Sequence, residues 1–449
     1  MSQDVRTTAE EVYWREVDRR GFHNLRVHLI QGGLAILGFS FFMPETVLAA
    51  YMTTMTDSKF LIGLPAAVNG FAWNFPMLFY AYTVQRRRQR LEMALKAGSF
   101  VRFAFAGIAV SAFVAARWGA APAMAVFFSS LALMACTAGG SAMAWQDLVG
   151  RTLPPARRGF FFGLREATAG FSGFLGAVCL SFYLKGRAAD PALGQHGVPR
   201  DYLVPFAVGA VIYFSSWYLL TFVREPEWPG EPVPAGAWRR YYRDTFRILA
   251  ADRNFRTYVF VRCLLGATGI FNVALFTSYA IKEFGVPKAV AAGVFSAMAL
   301  LGRMVGGPVA GRVADRTGFR VPLLGGIAML VAMLSIGISL RWLGALALPG
   351  FLVIYFLAGA LNSAIWVATF NLQLEFSVVG ERLRYIALAS TLSSPVVLAA
   401  TAASGFLVDV FDYRKVMAAA LVVALAVWAI VYHVFEDPRK AQKAPEPDK

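Results

Sequence analysis

The chain has 449 residues, of which 57% are hydrophobic and only 16% charged, with a formal net charge of +16. That composition lies far from the average of a soluble domain, and no soluble basic domain is present to carry the charge to nucleic acid. Three cysteines and four histidines are scattered, with no pair at metal- or redox-motif spacing, so neither a disulfide framework nor a metal centre is expected.

A hydrocarbon core takes about 20 apolar residues per helix. Twelve such stretches are predicted, near 26–51, 60–84, 97–117, 121–149, 160–184, 203–223, 256–283, 288–313, 321–343, 347–372, 385–410 and 414–435. No alternating pattern of the kind found in a barrel strand is visible. Residues 1–25 form a charged tail before a long first apolar run, which argues against a cleavable signal peptide. With the N-terminus inside, 29 of the 43 lysines and arginines fall in cytoplasmic tails and loops, ten in outer loops and four within spans. That distribution follows the positive-inside rule and places both termini, 1–25 and 436–449, in the cytoplasm.

The first span carries Phe41-Phe42-Met43-Pro44-Glu45 in its outer part. Glu45 has no cation beside it in sequence, and a charged carboxylate in hydrocarbon is costly, which makes it a candidate proton carrier. Equally, Pro44 breaks the helix and Glu45 then starts the outer segment, where the helix dipole favours an acid. The second span contributes Asn69, Trp73 and Asn74, and Arg86–Arg90 follows it. Arg102, Arg165, Arg262 and Arg303 fall near the inferred cytoplasmic ends of their spans and are expected to snorkel to the interface or make gating contacts. With no arginine expected at mid-depth, a multiply anionic solute is disfavoured. Asp147 is placed to pair with an arginine near the cytoplasmic side.

After the fourth span, Pro154-Pro-Ala-Arg157-Arg158-Gly159 stops one helix and starts the next. The fifth span carries Gly170, Gly173 and Gly176, which suit close helix packing. A proline-rich linker at 224–237 precedes Trp238, Tyr241, Tyr242, Thr245 and Leu249 at helical spacing, with Arg239, Arg243 and Arg247 off the stripe. This reads as an amphipathic helix under the cytoplasmic leaflet.

The chain also repeats itself. An offset of 230 carries Asn24-Leu-Arg26 onto Asn254-Phe-Arg256, Arg86 onto Arg316 and Arg90 onto Arg320. The repeat implies an N-terminal bundle at 26–223 and a C-terminal bundle at 256–435, joined by a linker at 224–255. In the same register Gln85 stands where Asp315 stands, and Arg88 where Gly318 stands.

The loop Gly311-Arg-Val-Ala-Asp315-Arg316-Thr-Gly318-Phe-Arg320 is the most specific feature. Gly311, four residues after Gly307, offers a small-residue face, and Gly318 permits the positive φ of a tight reversal. The loop resembles the signature G-x-x-x-D-R/K-x-G-R/K-R/K of the major facilitator superfamily, departing at Phe319. The resemblance implies an all-α polytopic fold, two pseudo-symmetric six-helix bundles of twelve transmembrane helices that rock about a central site. It places helices one, four, seven and ten around that site, so Asn272, Asn362 and Trp366 join Asn69, Trp73 and Asn74 as substrate-cavity candidates. It sets Asp315 against the cytoplasmic start of the fifth helix, flanked by Arg157, Arg158 and Arg165, as a gate.

The expected activity is secondary transport of a small organic solute by alternating access, coupled to protons, with no cofactor and no metal. The expected partners are solute, proton and lipid bilayer, for a monomeric multi-pass protein of the cytoplasmic (inner) membrane. No P-loop is present to support ATP-driven transport. The rivals are a non-transporting receptor on the same fold and, further off, a polytopic membrane enzyme.

Overall fold

A computed structural model describes residues 3–154, 158–189, 199–227, 236–376 and 381–435, all of it helix, turn and loop. In chain order the helices are α1 Gln3–Ser40, α2 Ala49–Met52, α3 Lys59–Asn74, α4 Met77–Gln85, α5 Leu91–Trp118, α6 Ala120–Thr152, α7 Arg158–Ala189 and α8 Leu203–Tyr218. The second half continues with α9 Trp238–Ala251, α10 Arg253–Ala267, α11 Val273–Phe284, α12 Phe295–Thr317, α13 Arg320–Ser339, α14 Ala347–Phe376, α15 Arg382–Phe411 and α16 Tyr413–Val434.

Among the described residues, eleven helical stretches are long and apolar enough to cross a membrane. The stretch expected at 60–84 is the exception, because Pro76 has no N–H to continue the ladder and divides it into α3 and α4. Gly139 of α6 lies against this break, where a Cβ would come within 2.9 Å of Pro76 Cδ.

The first helix differs from the expected tail-plus-span. α1 runs unbroken from Gln3, so the described part of 1–25 is a helical extension held to the fourth span by Tyr13, whose hydroxyl donates to Arg151 O at 2.8 Å. Asn24, the residue that marks the repeat, donates to Thr152 O at 3.3 Å and Arg224 O at 3.1 Å, and accepts from Arg224 N at 2.9 Å. It ties α1, the end of α6 and the chain leaving the first half into one corner.

Beyond α1, Pro44–Leu48 forms a wide π-helical turn, and a second such turn, Val290–Val294, leads into α12. The two turns pack on each other across the halves, and Thr46 of the first shares a short hydrogen bond with Ser296 at the start of α12. The seventh span is also jointed, with a 3-10 turn at Thr268–Ile270 between α10 and α11.

The halves meet along two seams. At one, α3 and α4 pack on α15; at the other, α7 packs on α12. Glycine permits the second approach, since a Cβ on Gly170 would come within 2.9 Å of Met304 Cα, and one on Gly173 within 2.8 Å of Leu300 Cδ2 and Ile36 Cγ2. Close packing therefore accounts for the glycine stripe of the fifth span. On the face away from the termini, Lys282 Nζ reaches Asp57 O at 2.9 Å and Lys288 Nζ reaches Thr53 O at 3.4 Å, both across the halves.

Helix α9 buries Tyr241, Thr245 and Ile248 and turns Arg239, Arg240, Arg243 and Arg247 outward. Tyr242 donates to Leu78 O at 3.3 Å and Phe79 O at 3.2 Å, so the helix docks on the first half, while Trp238 stays exposed rather than joining the buried stripe.

Candidate functional site

Arg303 lies midway between Val290 and Thr317, deep in the eighth span rather than near its end. Its Nε donates to Glu166 Oε2 at 2.7 Å and its Nη2 to Glu166 Oε1 at 3.1 Å, a two-pronged ion pair from α12 to α7. Glu166 is 1% exposed. Gly307, one turn further along α12, makes room for it, since a Cβ there would lie 3.1 Å from Glu166 Cβ. Breaking such a pair strands a buried charge, so the two halves are electrostatically bound to each other at mid-depth. The four arginines read as snorkelling gave no hint of this partner, yet Glu166 is the only acid between Phe160 and Leu184. A lone acid in an apolar span was the signal available.

Glu45 lies half-buried in the wide turn, within electrostatic reach of Arg303. Its carbonyl oxygen accepts from Thr277 Oγ1 at 2.6 Å, and Thr277 shares a second 2.6 Å hydrogen bond with Tyr355 OH. Tyr355 stacks on Phe295 with ring centroids 4.3 Å apart. The backbone of Glu45 thus belongs to a polar junction joining the first span to the seventh and tenth, while its carboxyl lies in the first turn after Pro44.

Arg165 does not snorkel. Its guanidinium lies over the Trp145 ring at 4.4 Å, and its Nη1 is 3.8 Å from Glu166 Oε1. Arg102 is 3% exposed and stays inside as well, donating to Gly98 O at 3.1 Å between the rings of Trp217 at 3.8 Å and Tyr213 at 4.3 Å. Aromatic faces take the place of the interface. Gly98 makes this possible, because a Cβ there would collide with the Trp217 indole at 2.1 Å.

The cavity candidates separate into two kinds. Asn272 caps α11, accepting from Leu275 N at 3.2 Å, and donates to Ser404 Oγ at 2.8 Å; Trp73 donates to Asn69 Oδ1 at 3.0 Å and Asn74 to Gly70 O at 2.9 Å. These four polar groups are occupied within the protein. Asn362 is exposed midway along α14, on the helical stripe that also carries Tyr355 and Trp366. Trp366 meets Phe162 of α7 at 5.8 Å, ring to ring.

At the end of the molecule that carries the termini, Gly318 adopts φ 85°, as the reversal requires. A Cβ on Gly311 would meet nothing within 4 Å, so of the pair Gly307 and Gly311 only Gly307 lies at a close approach, while Gly302 and Gly306 admit α14 more tightly still. Arg316 is exposed, and Arg320 lies over the Tyr432 ring and donates to Tyr432 O. Arg157 and the side chains of Asp315 and Arg158 lie outside the described residues. In the first half, where Gln85 replaces the acid, Arg90 pairs with Asp147, which also accepts from Arg151 Nε at 3.1 Å. Glu225 caps the start of α5, accepting from Arg90 N at 2.8 Å and Leu91 N at 2.9 Å, while burial pushes its carboxyl above the usual range. Among the described residues no group of acids, histidines and cysteines could hold a metal ion.

Two bundles joined at buried polar contacts and jointed helices define a membrane transporter fold. The sequence profile of the Major Facilitator Superfamily matches residues 99–342 and 267–449, and the chain belongs to that superfamily. Its structure is similar to that of a POT family transporter in complex with 5-aminolevulinic acid (TM-score 0.68, 13% identity, 92% of this chain and 96% of that one). It also resembles a D-xylose–proton symporter (0.66, 14%, 92% and 98%) and the Fucose:proton symporter of E. coli (0.59, 16%, 91% and 98%). No curated protein matches it in sequence.

Proposed function

We propose that this protein is a proton-coupled secondary transporter of a small organic solute, working by alternating access in the cytoplasmic membrane with both termini in the cytoplasm. The observation that carries the reading is the mid-depth junction of the halves, where Glu166 pairs with Arg303 and Glu45 lies within reach of the same cation. A carboxyl beside a movable inter-bundle cation offers a protonation event a route to the seam that must open. The symporters among the similar structures support proton coupling as the mode. Asp315 is the proposed latch of the cytoplasmic side, acting on the start of α7.

The test is transport in proteoliposomes. Glu45→Gln is expected to abolish accumulation driven by a pH gradient while solute exchange persists. Undiminished gradient-driven accumulation would remove Glu45 from the coupling path. Asp315→Asn is expected to raise the inward-open population.

A further inference from the structure

One cluster beside the inter-bundle pair is left unsatisfied by the protein itself. Glu166 gives both oxygens to Arg303 and is shared with Arg165 only at 3.8 Å, without a hydrogen bond; Arg165 Nε has no partner and the side chain is only 13% exposed. The indole under it, Trp145, holds a buried Nε1–H that is also unpartnered. His28 is fully buried, with its ring 6.4 Å from Trp145 and 6.0 Å from Phe161. Its Nε2 lies 3.2 Å from Thr152 Oγ1, and that hydroxyl spends its hydrogen on Leu148 O at 2.7 Å. Nε2 therefore carries the proton, and the unpartnered Nδ1 of the neutral ring is an acceptor. Gln31 Oε1 is a second buried acceptor without a partner. His28, Gln31 and Gly32 share one face of α1 by helical spacing. Gly32 itself borders the arginine, since a Cβ there would lie 2.9 Å from Arg165 Nε.

Leaving several buried polar groups unsatisfied is costly unless something fills them. The inventory is a cation, a neutral donor and two acceptors, beside the aromatic wall of Phe161, Phe162 and Trp366. From this we infer that Arg165 and Trp145 receive the carboxylate of the transported solute, while His28 Nδ1 and Gln31 Oε1 accept from a neighbouring hydroxyl or amine. The solute class is a hydroxy or amino acid with an apolar body. This deepens the transporter reading and rests on it.

The experiment is thermal unfolding of the purified full-length protein in detergent, where a ligand of the folded state raises the midpoint. The probes are mandelate, mandelamide, which lacks the charge, and phenylacetate, which lacks the hydroxyl. Mandelate at millimolar concentration is expected to give a saturable rise, phenylacetate a smaller one and mandelamide none. Arg165→Gln should abolish the response, and Trp145→Phe, which keeps the ring, should weaken binding about tenfold. His28→Phe should erase the difference between mandelate and phenylacetate. If Arg165→Gln lowers the yield of folded protein, Arg165→Lys keeps the charge and should retain weakened binding. A mandelamide response equal to that of mandelate, a response surviving in Arg165→Gln, or no response to either acid overturns the inference. Counterflow in proteoliposomes separates the two readings. Binding without exchange contradicts transport and leaves the subsite standing, whereas exchange of a neutral solute unaffected by Arg165→Gln does the reverse.

Discussion

Within its spans the first half presents Glu45, Glu166, Arg165, Arg102 and His28, whereas among the described residues the second half presents Arg262 and Arg303 with the hydroxyls of Thr277, Ser296 and Tyr355. The two bundles repeat in sequence and helix order, yet the costly ionisable groups are concentrated in one. A second half whose Arg303 pairs directly with Glu166 can respond to the charge state of the first without a matching set of acids. Under the proposed function, recognition and coupling fall to the first half and response to the second, with Arg303 as the connection.

The sharpest way to break that division is at the ion pair. Glu166→Gln strands Arg303 and is expected to cost about 3–5 kcal/mol of folding stability, measured by unfolding in detergent. The double variant Glu166→Gln/Arg303→Gln should recover more than half of the loss. A single-variant cost below about 1 kcal/mol would mean that Arg303 finds its counter-ion elsewhere. Next in size is the seam itself. Gly170→Ala drives a methyl towards Met304 Cα and should cost about 1–3 kcal/mol, whereas Gly311→Ala, with open space around it, should be tolerated within about 0.5 kcal/mol. Equal effects would deny that α7 and α12 are the tight seam. Tyr355→Phe removes one hydroxyl from the Glu45–Thr277 junction and should cost about 1 kcal/mol. Smallest of all, Lys282→Ala breaks an exposed contact on the far face and should leave the unfolding midpoint unchanged.

Much of the architecture was legible because hydropathy reports spans directly. Gly318 was readable for the same kind of reason, since a reversal between two long helices needs a residue free to take positive φ. The amphipathic linker helix was legible in outline, with Tyr241 and Thr245 buried against the protein and Trp238 left exposed. The charged site was harder. Arg303 is deeper than expected although the span bounds hardly changed, since ten residues separate it from the cytoplasmic end of 288–313 and eleven from that of Val290–Ala314. The pairing with Glu166 joins residues 137 positions apart on different halves, which no local pattern encodes. Arg102 and Arg165 misled in another way: the aromatic faces that hold them, Trp217 and Tyr213 for one and Trp145 for the other, are contributed by other helices. Trp73, Asn69 and Asn74 find their partners four residues away on their own helix, whereas the Asn272–Ser404 bond is not visible until the helices are placed.

The central claim is that the Glu166–Arg303 pair holds the two halves in the arrangement seen here. Spin labels at Gln89 and Arg316, both exposed at the end that carries the termini, report the separation of the halves there, once Cys136, Cys179 and Cys263 are replaced by serine. The account predicts that Glu166→Gln/Arg303→Gln, folded and reconstituted in liposomes, shifts the ratio of long to short distances by roughly tenfold. A distance distribution identical to that of the parent would contradict it and leave the pair as a structural contact alone.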